Sequence, residues 1–552
     1  MREKLSKPKF IFISGGVISS VGKGIFTASL ACLIESQGYK VEAIKIDPYI
    51  NVDAGTMRPT EHGEVFVTAD GFETDQDLGS YERFSSMITT QNQSLTTGQI
   101  YLKVINDERS GKFNGKCVEV VPHIPQEVIK RICKVQSEKN ADFVLVEVGG
   151  SVGEYQAFPF LEASRMMKGL GMDTAQIHVG YIPTPTMVGE QKTKPIQESI
   201  KKLREQCGNP DFVVARSHDA LDNVRKQKIS MSSGLPLSHI ISAFDDDLIY
   251  RIPLNLANQN LHTNLLHLFG LPFDMNNCLK EWREMVAHIE KLQSGDKIIK
   301  IGIVGKYFSN GNFSLSDSYI SVIEAVKHAS WHNDNNVKIC AINAKDFEDK
   351  IKDIDYLKEF DGIIIPGGFG DSGISGKIEA IKFCRENKIP FLGLCLGMQL
   401  SVIEFARNVL NLKDANSTEF HPSTTNPVIS LLEEQLNNVS QHHIGGTMRL
   451  GSYTALLKAG TIVSGAYASL TTTERHRHRW EVNNKYRADL EAAGLVVSGV
   501  YEQKNLVEFI ELPQNKHPFF VGTQAHPEFQ SRFLRPSPLF NKFISAVIKN
   551  KG

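Results

Sequence analysis

No apolar run in this 552-residue chain approaches the ~18 residues that a membrane span needs. Its first nine residues, Met1 to Lys9, are charged and lack the apolar core of a signal peptide. Neither insertion nor export is expected, and the cytoplasm is the expected compartment. An excess of one charge is also missing: Lys+Arg 61 against Asp+Glu 62 leaves a net charge of -1, which forecasts neither nucleic acid nor an anionic membrane as partner. The eight cysteines, spread from Cys32 to Cys395, contain no CxxC pair. That excludes the usual zinc spacing and a disulfide frame, and leaves reduced thiols. What remains is a globular composition, 41% hydrophobic and 22% charged. At roughly 150 residues per domain the length allows two to four units, and the pattern below gives two.

The stretch Ser14-Gly15-Gly16-Val17-Ile18-Ser19-Ser20-Val21-Gly22-Lys23-Gly24 follows an apolar run, Phe10 to Ile13, and opens an amphipathic one, Ile25 to Gln37. This reads as strand, phosphate loop and helix. Glycines there admit backbone N–H groups to a polyphosphate, the helix N-terminus adds its positive dipole end, and Lys23 supplies a mobile ammonium. The spacing departs from a strict Walker A motif. The first glycine falls at Gly16, one residue early, and Gly24 stands where a Mg²⁺-binding Ser or Thr is expected, so an ordinary glycine-rich turn is the competing reading.

Gly38 and a strand from Val41 to Ile46 complete a β-α-β unit that ends in Lys45-Ile46-Asp47-Pro48. Ligand groups in such sheets sit at the C-terminal strand ends, which places Lys45 and Asp47 beside the loop. The polar stretch Asn51 to Gly79 reads as loop or lid, and its cluster Glu73-Thr74-Asp75-Gln76-Asp77 is either solvated surface or a Mg²⁺ site built on one or two carboxylates. Glu147 ends a strand, Ala141 to Val148, just before Gly149-Gly150-Ser151-Val152-Gly153. A strand glutamate is costly to bury unless paired, which argues for a metal ligand or an acid/base. Strands at Ala175 to Ile182, Asp211 to Ala215 and His239 to Ala243 alternate with helices, so residues 1–270 read as a doubly wound α/β domain. Lys192-Thr193-Lys194, ahead of a helix, is either a triphosphate grip or a basic helix start.

Residues 271–297 read as a charged helical connector, with Trp282 and Met285 as its apolar contacts. From Ile298 the alternation restarts: strand to Val304, helix near Leu315 to Ala329, then strands Val337 to Ile342, Gly362 to Ile365 and Phe391 to Leu394. Residues 298–552 are thus a second doubly wound domain. Its Gly393-Leu394-Cys395-Leu396-Gly397 is the thiol counterpart of a nucleophile elbow, a tight strand-to-helix turn that exposes a side chain where the helix dipole favours thiolate. Pro366-Gly367-Gly368-Phe369-Gly370 can present backbone N–H groups to an oxyanion. Ala525-His526-Pro527-Glu528, at the end of a strand Phe519 to Thr523, supplies a base and a carboxylate to orient it. Together these read as a Cys-His-Glu acyl-transfer site.

Gly393 to Gln399 with His526-Pro527-Glu528 resembles the class I, triad glutamine amidotransferases. The first half is more specific. Ser14 to Gly24, Lys45 to Asn51, His62-Gly63-Glu64-Val65-Phe66, Glu73 to Gly79, Glu147 to Gly150, Lys192 to Pro195 and, in the second half, Glu474-Arg475-His476-Arg477-His478-Arg479 resemble the CTP synthase family over nearly the whole chain. The resemblance implies ATP-dependent amination of UTP to CTP through a 4-phosphorylated UTP, with ammonia from L-glutamine passed between domains. It implies that Ser20, Gly22, Lys23, Gly24 and Lys45 hold ATP, with Arg216 near the adenine, and that Asp77 and Glu147 hold Mg²⁺. Ser19, Glu154, Gln156, Lys192, Thr193, Lys194, Gln197 and Lys228 would hold UTP or CTP. Cys395 would attack the glutamine amide, His526 would shuttle protons and Glu528 would orient it. Gly368 would give an oxyanion N–H, and Leu396, Gln399, Glu419 and Arg479 would grip the amino acid. GTP activation, CTP feedback inhibition, a homotetramer and filaments are further implications.

Two positions depart from the family pattern: Glu154-Tyr155-Gln156 stands where Asp-Ile-Glu is usual, and Ser232 where Phe is usual. Both belong, by resemblance, to the pocket for the inhibitor's cytosine end, so weak CTP feedback is expected. Two rival readings are a ParA-like or dethiobiotin-synthetase-like P-loop enzyme and a non-catalytic filament or nucleotide-sensing protein. Lys192 to Gln197 and the complete triad argue against the first, and the triad with Lys23 against the second.

Overall fold

A computed structural model describes residues 5–57, 63–187, 189–274, 279–306, 309–310, 313–314, 317–431 and 448–552. The chain forms two compact units that do not follow chain order: Met1–Val52 with Asp77–Val286, and Asp53–Gln76 with Ala287–Gly552.

The first unit is built on seven parallel strands: β1 (Lys9–Gly16), β2 (Val41–Asp47), β3 (Ser94–Thr96), β4 (Phe143–Val148), β5 (Thr174–Tyr181), β6 (Phe212–Ser217) and β7 (Ile240–Phe244). Their order is β3-β2-β4-β1-β5-β6-β7. The central strands are buried along their whole length, as expected of a parallel sheet covered on both faces, and read as Phe/Ile/Val runs for that reason. Chain order reverses beside β1, so the loop between β1 and α1 (Lys23–Ser36) opens at a switch point. Ser94–Thr96 escaped the sequence reading because three residues are too short for periodicity to register.

The second unit carries nine strands: β8 (Ile298–Gly305), β9 (Asn336–Asn343), β10 (Gly362–Ile365), β11 (Phe391–Leu394), β12 (Arg449–Leu457), β13 (Thr471–His478), β14 (Val496–Tyr501), β15 (Leu506–Glu511) and β16 (Phe520–Thr523). Their order is β9-β8-β10-β11-β16-β15-β14-β12-β13, parallel as far as β16 and antiparallel beyond it. The parallel part confirms the α/β reading, and the four-stranded antiparallel extension adds to it. The helix expected from Leu315 is α2 (Ile320–His332), and Leu315 itself lies outside the described residues.

The two compact units cut across the segments 1–270, 271–297 and 298–552. The connector helix, Lys280–Gln293, is shared between units, which divide after Val286. Its first half is anchored by Trp282, which donates to the Tyr250 carbonyl at 2.6 Å and packs on Phe84 at 5.6 Å. Asp53–Gln76, read as part of the first domain, belongs to the second unit. It is held there by Glu64, which accepts from the Ser321 backbone at 3.2 Å, and by Glu73, paired with Arg477 at 2.7 Å. Ion pairs between residues about 400 positions apart leave no local signal.

Candidate functional site

In the first unit, a buried cluster forms at the C-terminal ends of β2 and β4. Lys45 Nζ is ion-paired with Asp77 and lies 3.0 Å from Glu147 Oε1 and 3.8 Å from Asp47 Oδ1. The Tyr81 hydroxyl donates to the other Glu147 oxygen, and burial beside that carboxylate holds the Tyr81 proton on well above its ordinary range. Lys23, first residue of α1, donates to the Gly150 carbonyl at 3.1 Å, and burial lowers its affinity for a proton. Incoming phosphate oxygens would restore the charge that burial disfavours. Beneath the loop, His178 bridges Ser14 (3.1 Å) and Ser199 (2.8 Å), and burial with Lys23 nearby pushes it to about 3, a neutral support.

Gly24 acquires a physical reason here. A Cβ at this position would lie 2.0 Å from Asp77 Oδ1, so the carboxylate of Asp77 fills the space a Walker Ser or Thr would occupy. Among the described residues no cluster of three or more His, Cys, Asp or Glu side chains could hold a metal ion. The hard oxygens of Asp77 and Glu147 converge on one ammonium, and such a pair fits Mg²⁺ when nucleotide oxygens and water complete the shell.

The remaining nucleotide residues divide. Arg216 lies against Gly22, where a Cβ would be 3.5 Å from its Nε, and is paired with Asp245 at 2.5 Å. Ser19 and Ser20 are exposed on the loop, Ser20 with φ 54. Lys192 pairs with Glu190 (2.6 Å) and Lys194 with Glu198 (3.0 Å), while Gln197 donates to Thr193 at 3.1 Å. Gln156 and Lys228 are exposed and Glu154 is half-buried. Among the described residues no hydrogen bond or ion pair joins the Lys192–Gln197 group to Glu154, Gln156 or Lys228. His62 of the His62-Gly63-Glu64 motif lies outside the described residues.

In the second unit, β11 ends at Leu394 and α4 (Leu396–Asn408) starts immediately after Cys395, following α3 (Ile374–Asn387). Cys395 has φ 50 and ψ -101, the strained geometry of an elbow. The flanking glycines permit it: a Cβ on Gly397 would lie 2.1 Å from the Ile365 carbonyl oxygen, and one on Gly393 would lie 2.8 Å from the Gly397 backbone. His526 Nδ1 is 2.7 Å from Glu528 Oε1, and its Nε2 is buried. Burial opposes charge on this imidazole, but Glu528 and the Cys395 sulfur outweigh it and raise His526 to about 10. Phe529 stacks on the imidazole at 5.1 Å and 16°. Cys395, His526, Glu528, Gly367, Gly368, Arg477 and Phe529 line one cavity, with Glu64 and Val65.

The other expected glutamine residues lie beyond this lining. Gln399 donates to the Trp480 carbonyl (2.8 Å) and to Gln524 (3.3 Å), Glu419 accepts from the Gly370 N–H (3.2 Å), Leu396 is the first residue of α4, and Arg479 is buried. Glu419 is raised by burial, and Lys306, near it, falls to about 8. Within the Glu474 to Arg479 string, His476 and His478 are buried against Glu508 (3.2 Å) and Glu481 (3.5 Å), with Arg449 bridging both carboxylates.

Several residues here carried no signal in the sequence. Gln524 donates toward Cys395 Sγ at 3.7 Å, and Lys377 on α3 is fully buried with no hydrogen-bond partner for its ammonium among the described residues. Burial, with Lys306 nearby, pushes Lys377 down to about 7. The unfolded chain keeps that proton up to about 10.5, so the folded state bears the full cost below about pH 7 and sheds it as pH rises toward 10.5. Lys377→Met is therefore expected to stabilise the protein at pH 7 by about 1–3 kcal/mol, and by less at pH 9.5. Urea unfolding of parent and variant at both pH values checks this.

A strand-to-helix cysteine elbow with a His-x-Glu partner just past the end of the neighbouring strand defines a triad amidotransferase, here joined to a parallel-sheet unit with a glycine-rich loop. The comparisons agree: the family "Glutamine amidotransferase class-I" matches residues 314–546 and "CTP synthase N-terminus" matches residues 9–271. A CTP synthase of Carboxydothermus hydrogenoformans is 49% identical over 98% of this chain and 99% of its own. One of Aeropyrum pernix is 48% identical over 99% and 100%. The glutaminase domain of a Trypanosoma brucei CTPS, solved with bound acivicin, is 34% identical, covering 46% of this chain and 94% of that one with a TM-score of 0.41. The chain belongs to the CTP synthase family.

Proposed function

We propose that this chain converts UTP, ATP, glutamine and water to CTP, ADP, phosphate and glutamate, with the triad in one unit and the Lys23–Lys45–Asp77–Glu147 cluster in the other. The observation that carries the reading is the coexistence of both centres in one polypeptide. In the glutaminase half, the Cys395 sulfur attacks the glutamine amide carbon, and backbone N–H groups of Gly368 and Leu396 receive the developing oxyanion. His526, held by Glu528, protonates the leaving ammonia and then takes a proton from the water that releases glutamate. In the synthetase half, Lys23 and Lys45 neutralise phosphate charge as the γ-phosphoryl group moves to the uracil 4-oxygen, which ammonia then displaces. Mg²⁺ held by Asp77 and Glu147 would supply further charge neutralisation on the transferred phosphate.

Measured CTP formation from UTP and ATP, with glutamine or ammonium as donor, tests the reading; no CTP with either donor contradicts it. GTP activation, a homotetramer and filaments belong to the same proposal, as do the roles of Arg216, Lys192, Lys194, Gln197 and Lys228.

Feedback by CTP is expected to be weak. Gln156 and Ser232 are both exposed, and the Ser232 hydroxyl bonds back to the Ile229 carbonyl at 3.1 Å, so neither offers the carboxylate or flat apolar face usual in the family. Restoring both with Gln156→Glu and Ser232→Phe is expected to tighten CTP inhibition at least ~10-fold, since ~1.4 kcal/mol is a factor of ten. CTP titration at fixed UTP measures it, and equal inhibition of parent and variant contradicts it.

A further inference from the structure

The segment Asp53–Gln76 belongs to the same unit as the triad, although it comes from the first half of the chain. Its hairpin, Phe66–Val67 against Glu73–Thr74, lies along β13. The Val67 carbonyl accepts from Arg475 at 3.0 Å, the Ala69 carbonyl from the Ser452 N–H at 3.0 Å, and Phe66 packs edge-on against Phe529 at 5.0 Å. Phe529 is the ring stacked on His526.

Directly across the hairpin from Val67, Glu73 Oε1 accepts from Arg477 Nε at 2.7 Å, with side chains only 1% and 12% exposed. Arg477 touches the catalytic centre twice. Its carbonyl oxygen lies 3.8 Å from Cys395 Sγ, and its guanidinium stands 4.9 Å over the ring of Phe369, the residue next to Gly368. Its planar group therefore has one carboxylate on its edge and one ring on its face, which fixes the backbone it hangs from.

We propose that Glu73 is a positioning residue of the glutaminase centre, acting through Arg477 to hold the Arg477 carbonyl and Phe369 in place beside Cys395 and the oxyanion N–H groups. A group that fixes the reacting geometry without meeting the substrate is felt in kcat more than in KM.

The inference rests on reading the second unit as a glutaminase. Its test is steady-state glutaminase kinetics of the full chain with ATP and UTP present, beside CTP synthesis from ammonium. For Glu73→Gln, kcat for glutamine is expected to fall about tenfold with KM within about twofold, while ammonium-dependent synthesis stays within about twofold of the parent. Arg477→Gln is expected to lose as much, and the double variant no more than the worse single, because the two act as one unit. Arg477→Lys keeps the charge but not the planar fork; it is expected to show the same kcat loss, and serves if Glu73→Gln does not fold. An unchanged kcat, additive losses, or an equal fall in ammonium-dependent synthesis each overturns the proposal. A parent with no glutaminase activity would instead overturn the reading beneath it.

Discussion

Cys395→Ala is expected to abolish glutamine-dependent CTP formation, with a loss of at least about 10³-fold, while ammonium-dependent formation stays near the parental rate. The argument is geometric. Among the described residues Cys395 is the one thiol lining the cavity that also holds His526 and Glu528, and it sits at a strained strand-to-helix turn, so no second thiol stands there to replace it. Of the other cysteines in the described part of this unit, Cys384 is buried on α3, where burial holds its thiol protonated, and Cys340 lies on β9. His526→Ala should cost about as much, and the double variant little more, since triad members act as a unit. Rates of ammonia release and CTP formation with each nitrogen donor measure this, and persisting glutaminase activity in Cys395→Ala contradicts the assignment.

Asp77→Asn or Glu147→Gln is expected to stop synthesis with either donor, by at least about 10²-fold, while basal glutaminase activity continues. Both carboxylates bind the Lys45 ammonium, so neutralising one removes a hard oxygen donor and also leaves Lys45 with one partner fewer. A nearly isosteric amide keeps the packing around Tyr81 and Gly24, which separates the loss of charge from loss of fold. Calorimetry of ATP binding with Mg²⁺ gives a second readout, expected to weaken in both variants. CTP formation from ammonium at near the parental rate in either one contradicts the metal role.

What could be read from the sequence was local. Gly393 to Gly397 and His526 to Glu528 are short runs whose members act within a few residues of one another, so spacing alone suggests an elbow and an orienting carboxylate; Cys395 has φ 50, and His526 Nδ1 lies 2.7 Å from Glu528 Oε1. Lys45 and Glu147 were legible because parallel strands put their C-terminal ends on one edge. The role of Gly24 was not, because the group that fills its space, Asp77, lies on another element. The hairpin at Phe66 carries no strand signal, because its strands are two residues long and its partners Arg475, Arg477 and Phe529 lie hundreds of positions away. Lys377 was invisible for another reason: nothing in a helix of mixed composition marks which lysine will be buried.

The central claim, that one chain hydrolyses glutamine and spends the nitrogen on UTP, is tested most directly by isotope transfer. The full-length protein is given ATP, UTP and glutamine labelled with ¹⁵N at the amide, and the CTP formed is analysed for label on its 4-amino group. The account predicts labelled CTP, one glutamate released per CTP, and no labelled CTP from Cys395→Ala. Glutamate accumulating without CTP, or CTP formed without the amide label, would contradict it.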